Sequence, residues 1–219
     1  MSRRKLAKFA ENRERMNVLE EGKPLYDTIK GNWNQEYFDN EHPITVELAC
    51  GRGEYTIGLA RKFPTENFIG VDLKGDRIWK GSGVALEENL QNVAFLRTQI
   101  QWLDKYFGKG EISNLWITFP DPRPKDRDEK HRLTNNAYLN LYKPLISPEG
   151  WVNFKTDNTD LFQYTLEALE GRNDIANLEF TWDVYASDLA PLCHGIQTRY
   201  ERKFHTDSNK IKYLRFRFV

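Results

Sequence analysis

A chain of 219 residues with 39% hydrophobic and 29% charged content can bury one sizeable core and is too apolar to be disordered. Its 32 basic and 32 acidic residues cancel, which removes any global field drawing it to nucleic acid or an anionic membrane, though not a locally basic face. Two distant cysteines (Cys50, Cys193) and four scattered histidines (His42, His131, His194, His205) exclude a disulfide framework and give no metal-ligand spacing.

The first residues are charged and lack an apolar signal core, and no apolar run reaches the ~20 residues that cross a bilayer. A cytoplasmic, reduced protein without a metal is expected. Residues 1–40 are polar and weakly periodic, and read as an N-terminal extension. Residues 5–17 allow a helix, and Arg3, Arg4, Lys5 and Lys8 make its start a mobile basic arm. Residues 41–219 read as the domain proper. Strands are predicted at 44–49, 68–73, 93–98, 115–119, 151–155, 180–186 and 213–219. Helices are predicted at 54–63, 77–89, 102–107, 135–146 and 159–169, with Ser147-Pro148-Glu149-Gly150 as a turn. Regular alternation predicts an α/β, Rossmann-like sheet of seven mostly parallel strands with helices on both faces. The charged segment before the last strand suggests an antiparallel edge strand.

Three places carry chemistry. Phe119-Pro120-Asp121-Pro122-Arg123-Pro124-Lys125 ends the fourth strand. Alternate prolines stop sheet and helix alike and push their preceding residues toward extended geometry, predicting a stiff, extended loop that presents Asp121 between cations. Cys50-Gly51-Arg52-Gly53 turns from the first strand into a helix, where glycines let backbone approach a ligand. Asp72, about twenty residues on, ends the next strand, where a carboxylate accepts ribose hydroxyls. The third glycine of a dinucleotide fingerprint is replaced by Thr56, and Glu47 places a carboxylate inside the first strand. A pyrophosphate would be repelled there, whereas an adenosyl ligand with a cationic amino-acid end and a sulfonium would suit Glu47 and Asp121. Gln99, ending the third strand, is placed to contact an adenine. A further basic run follows Asp121: Arg123, Lys125, Arg127, Lys130 and Arg132.

Four motifs in order resemble the bacterial tRNA (guanine-N7-)-methyltransferase family: residues 46–54 (VELACGRGE), residues 68–73 (FIGVDL), the FPDPRPK block with residues 127–134, and Phe154-Lys155-Thr156-Asp157-Asn158. Residues 198–204 (TRYERKF) resemble a fifth. The resemblance implies a class I fold that uses S-adenosylmethionine to methylate guanine N7 in tRNA, in its variable loop. It further implies that Glu47, Asp72 and Asp121 bind the cofactor and that Asp121 is catalytic; Gly51, Gly53 and Gln99 join the cofactor set from their places in the turn and at the strand end. Lys125, Asp157, Thr198, Arg199, Tyr200 and Glu201 would bind the tRNA. Two positions depart from the family pattern: Arg123 stands where Trp is usual, and Gln99 where an acidic residue is usual. Asp72 replaces a frequent Glu. A methyltransferase for another substrate and a non-catalytic RNA-binding relative remain as alternatives, and the sequence leaves monomer and homodimer open.

Overall fold

The structure is a computed structural model describing residues 3–204 and 209–219, without the side chains of Arg3, Arg4 and Phe204. His205 lies outside the described residues.

Eight strands form one sheet among the described residues: β1 (Val18–Leu19), β2 (Ile44–Leu48), β3 (Asn67–Asp72), β4 (Val93–Arg97), β5 (Ile112–Thr118), β6 (Ile146–Thr156), β7 (Ile175–Thr181) and β8 (Lys212–Phe218). Their order is β1-β4-β3-β2-β5-β6-β8-β7. β8 runs antiparallel to both its neighbours, and the other pairings are parallel. The helices are α1 (Arg3–Glu14), α2 (Glu54–Lys62), α3 (Gly75–Glu87), α4 (Asn136–Tyr142), α5 (Thr159–Glu170) and α6 (Arg199–Phe204). None is long and apolar enough to cross a membrane.

The central strands are apolar because helices cover both faces. Val46, Leu48, Ile69, Val71, Leu115, Ile117 and Phe154 point to one layer, closed by α4, α5 and the segment around Trp33. Phe68, Phe95, Trp116 and Tyr213 point to the other, closed by α2, α3 and residues 184–196. Alternation also puts Glu47, Thr118 and Lys155 on this second side, so the second layer carries buried charge.

The structure departs from the expected pattern in four places. The sheet has eight strands rather than seven, because Val18–Leu19 pairs with Phe95–Leu96 of β4. The antiparallel strand is β8, one place in from the edge, and β7 is the edge. β7 ends at Thr181, and the aromatic-rich residues after it turn through a short helix at Val184–Ala186. The expected turn at 147–150 lies inside β6, where a shifted register against Ile112 and Asn114 absorbs Pro148.

The segment read as an extension is joined to the domain along its described length. The Asn12 amide donates to the Gly75 carbonyl at 2.8 Å, and the Ser82 hydroxyl donates to Asn17. The Lys23 ammonium collects the carbonyls of Asn12, Arg15 and Val18. Trp33 is fully buried, stacked on Phe107. Lys5 pairs with Asp76 at 3.2 Å, and Lys8 sits over the Trp79 ring.

Candidate methyl-transfer site

The chain leaves β2 toward β3 on one side while β5 lies on the other, so the loops after β2 and β5 diverge and open a crevice at their carboxyl ends. Both exits are tight. Ala49 after β2 and Phe119 after β5 have φ values of 53° and 47°, the left-handed region that costs a non-glycine residue about 1–3 kcal/mol. Gly51 and Gly53 also have positive φ but differ in surroundings. A Cβ on Gly51 meets nothing nearer than 3.9 Å, so its backbone faces open space. A Cβ on Gly53 would lie 2.5 Å from the Phe95 ring. Gly51 therefore borders the opening, and Gly53 lets the turn press onto the sheet.

Glu47 is buried beneath this turn. One carboxylate oxygen accepts the Thr56 N–H at 2.9 Å and the Thr56 hydroxyl; the other accepts the Thr118 hydroxyl at 2.6 Å. Burial pushes its pKa up to about 7, against the lowering effect of the Thr118 and Thr56 hydrogen bonds and with a small further rise from Asp72. The missing third glycine thus has a positive reason, since Thr56 anchors the carboxylate. Asp72 accepts the Gly51 N–H at 2.9 Å through one oxygen and the Lys74 N–H at 2.8 Å through the other. It orders the glycine turn and keeps lone pairs for two further donors.

Two cavities meet at Ala49. One, of about 480 Å³, is lined by Glu47, Gly51, Thr118, Phe119, Thr198 and Tyr200, with Arg52, Arg77, Arg199 and Lys203 at its walls. The other, of about 400 Å³, is lined by Asp72, Gln99, Asp121, Arg123, His131 and Tyr138. The crevice so divides the predicted cofactor residues: Glu47 and Gly51 on one side of Ala49, Asp72, Gln99 and Asp121 on the other. Lys125 and Asp157 line neither cavity.

The proline-rich loop differs from the extended form expected of it. Phe119 and Arg123, each before a proline, are left-handed rather than extended. That kink folds Arg123 back on Asp121, with Nε 3.3 Å from the carboxylate. Both groups are exposed, so the pair adds little stability and is open to exchange for another donor. Lys125 is exposed at the start of a short helix, Asp126–His131, while Arg132 lies over the Tyr164 ring and donates to the Arg123 carbonyl.

The charged segment before the last strand, which shows no helical period in the sequence, contains a helix, α6. Thr198 caps α6: its hydroxyl accepts the Glu201 N–H at 3.1 Å, and Glu201 accepts the Thr198 N–H at 3.3 Å. This T-x-x-E reciprocity is a capping box, legible in the residues but without the apolar periodicity that would mark a helix. α6 is then held at three more points. The Arg199 N–H meets Glu54 at 2.6 Å, the Tyr200 hydroxyl donates to Asp157 at 3.1 Å, and the Tyr200 ring packs on Phe119 with centroids 5.5 Å apart. Glu201 points inward, fully buried, and pairs with Lys155 at 2.6 Å. Thr118, Lys155, Arg52, Glu54, Arg77 and Lys203 escaped the sequence reading. Arg52, Glu54, Lys155 and Lys203 lie inside the quoted motifs, and Thr118 and Arg77 reach the site only through the fold.

A family model described as "Putative methyltransferase" matches residues 41–214. The tRNA (guanine-N(7)-)-methyltransferase of Cytophaga hutchinsonii is 45% identical over 220 residues, covering 100% of this chain and 99% of its own. The chain belongs to the tRNA (guanine-N7-)-methyltransferase family. Its counterpart from Christiangramia forsetii is 44% identical over 221 residues, 99% of this chain and 98% of that one. Among solved structures, the 16S rRNA methyltransferase KamB superposes with a TM-score of 0.64 at 12% identity over 93% of this chain and 98% of its own, a likeness of fold.

Proposed function

We propose that the protein transfers the methyl group of S-adenosylmethionine to N7 of a guanine in tRNA. The observation that carries this reading is the meeting of the two cavities at Ala49, with Glu47 and Asp72 on opposite sides and Asp121 at the rim. The residues fit the donor. Asp72 retains acceptor capacity for two ribose hydroxyls, Gln99 lines the adenine end, and the open backbone at Gly51 admits close approach. Glu47 places a carboxylate where a cationic amino-acid end would lie. Bound there, the cofactor supplies an electrophilic methyl group on a sulfonium.

Guanine N7 attacks with its own lone pair and loses no proton, so no residue need act as general base. The chain's contribution is alignment and charge complementarity; alignment alone supplies roughly 7–11 kcal/mol in favourable cases. Asp121, released from Arg123, accepts the guanine N1–H and exocyclic amine and offsets the positive charge growing on the ring. Asp157 acts through Tyr200, whose hydroxyl it receives. Arg199 and Tyr200 on α6, with Lys125 on the facing loop, hold the nucleotide and its phosphates. The family resemblance further places the target guanine in the variable loop, and a tRNA substrate suits a cytoplasmic protein.

The test is transfer of labelled methyl from S-adenosylmethionine to unmodified tRNA, followed by mapping of the product. The expected product is 7-methylguanine at one position. Methyl on another base, or on protein, refutes the substrate.

A further inference from the structure

The buried ion pair below α6 has no part in the chemistry just described. Lys155 and Glu201 are both fully buried, with Nζ 2.6 Å from the carboxylate. A buried pair is often no more stabilising than apolar residues of equal volume, so stability alone does not account for it. Its connections are specific. The Glu201 oxygen that faces Lys155 also accepts the Tyr185 hydroxyl, and its other oxygen accepts the Thr198 N–H that opens α6. Lys155 adds the Ile196 carbonyl at 3.4 Å and lies 5.7, 5.9 and 5.5 Å from the ring centroids of Tyr55, Phe119 and Tyr185. Its own carbonyl accepts the Phe119 N–H at 2.8 Å, at the root of the loop that carries Asp121. One residue on β6 therefore touches both segments that face the nucleotide.

We propose that Lys155 is a positioning residue for tRNA: it seats Glu201, and through Glu201 fixes the α6 wall that presents Arg199 and Tyr200 to the substrate. On this account Glu201 also acts on the helix and not on RNA, because its carboxylate is shut off from solvent and already carries three partners. A capping-box glutamate ordinarily lies at a helix surface and is replaceable at small cost. Here the same side chain is turned inward and charge-matched, which makes the orientation of α6 depend on β6. Of the donor-side groups, Asp72 and Gln99 lie across Ala49 from this clamp, while Glu47 and Gly51 share the cavity that α6 walls. Glu47 is held there by Thr56 of α2 and Thr118 of β5.

The inference rests on the methyl-transfer reading, and its test separates the two. Two variants are compared with the wild-type chain: Glu201→Gln, which keeps the shape, and the double variant Lys155→Met with Glu201→Met, which leaves no charge unpaired. Methylation of unmodified tRNA, S-adenosylmethionine affinity by calorimetry, melting temperature and hydrogen exchange at the 199–203 amides are measured for each. The expected result is a KM for tRNA raised at least tenfold in both variants, donor affinity within about threefold of wild type, and exchange in α6 at least tenfold faster. The double variant keeps these defects while melting within a few degrees of wild type. A double variant with wild-type KM, or a defect confined to donor affinity, overturns the proposal. If neither variant folds, Tyr185→Phe removes one partner from the same carboxylate: a raised KM with faster α6 exchange supports the clamp, and no change in either overturns it. A wild-type chain that leaves tRNA unmethylated would refute the function, while the exchange comparison would still judge the clamp.

Discussion

Replacing Glu47 by Gln should make the protein more stable and less able to bind its methyl donor. The amide fits the existing hydrogen bonds: its carbonyl takes the Thr56 N–H and hydroxyl, and its NH2 donates to a rotated Thr118 hydroxyl. What disappears is the buried charge. Burial lifts Glu47 from the ordinary 4.5 to about 7, and each pKa unit is worth about 1.4 kcal/mol, so the ionised carboxylate costs the fold about 3 kcal/mol. The folded state holds this proton more tightly than the unfolded chain. Its contribution is thus largest below pH 4.5, falls as pH climbs toward 7, and is flat above. Gln does not titrate. The melting temperature of E47Q minus that of wild type should be near zero at pH 4.5 and rise to about 6–12 °C by pH 8, at about 2–4 °C per kcal/mol for a chain of this size. Scanning calorimetry of both proteins across that range measures the difference directly. A difference that does not change with pH, or a less stable E47Q at pH 8, refutes the reasoning. In the same samples, calorimetric titration with S-adenosylmethionine should show affinity at least tenfold weaker for E47Q at pH 8.

D121A should lower kcat at least hundredfold while leaving donor affinity within an order of magnitude; turnover within threefold of wild type, about 0.7 kcal/mol, would remove Asp121 from the reaction. The two turn glycines should separate in thermal melts. G51A, which carries only left-handed strain, should lose about 1–2 kcal/mol and block the donor. G53A, which also drives a methyl into Phe95, should lose about 1–3 kcal/mol more. Charge reversal at Lys125 should weaken tRNA binding and reduce the slope of log affinity against log salt by about one, as measured by filter binding at several salt concentrations; an unchanged slope takes Lys125 off the phosphates.

The parallel half of the fold was legible because each strand there is a short apolar run and each helix has its own start and stop. β2, α2, β3 and β4 fall within two residues of their predicted bounds. The carboxyl ends of β2, β3 and β5, beside which Glu47, Asp72 and Asp121 lie, each fall within one residue of the predicted position. What failed was local chemistry without periodicity. Val18–Leu19 is too short to signal a strand, and its pairing with β4 is fixed by the Asn17 and Lys23 contacts around it. Phe180, Trp182 and Tyr185 suggested one strand through hydrophobicity, yet only Phe180 lies in β7; the chain turns after Thr181, and all three rings are exposed. α6 has no apolar stripe, and only its T-x-x-E spacing announces it. The burial of Glu201 against Lys155 needed the fold itself, because nothing in the 45 residues between them ties one to the other.

The claim most exposed to a single measurement is that one donor molecule spans Ala49. A crystal structure with S-adenosylmethionine should show ribose hydroxyls on Asp72, the adenine beside Gln99, the amino-acid end toward Glu47, and the methyl group turned toward Phe119 and Tyr200. A donor bound away from Asp72, or with its methyl group pointing from the α6 wall, would contradict the account.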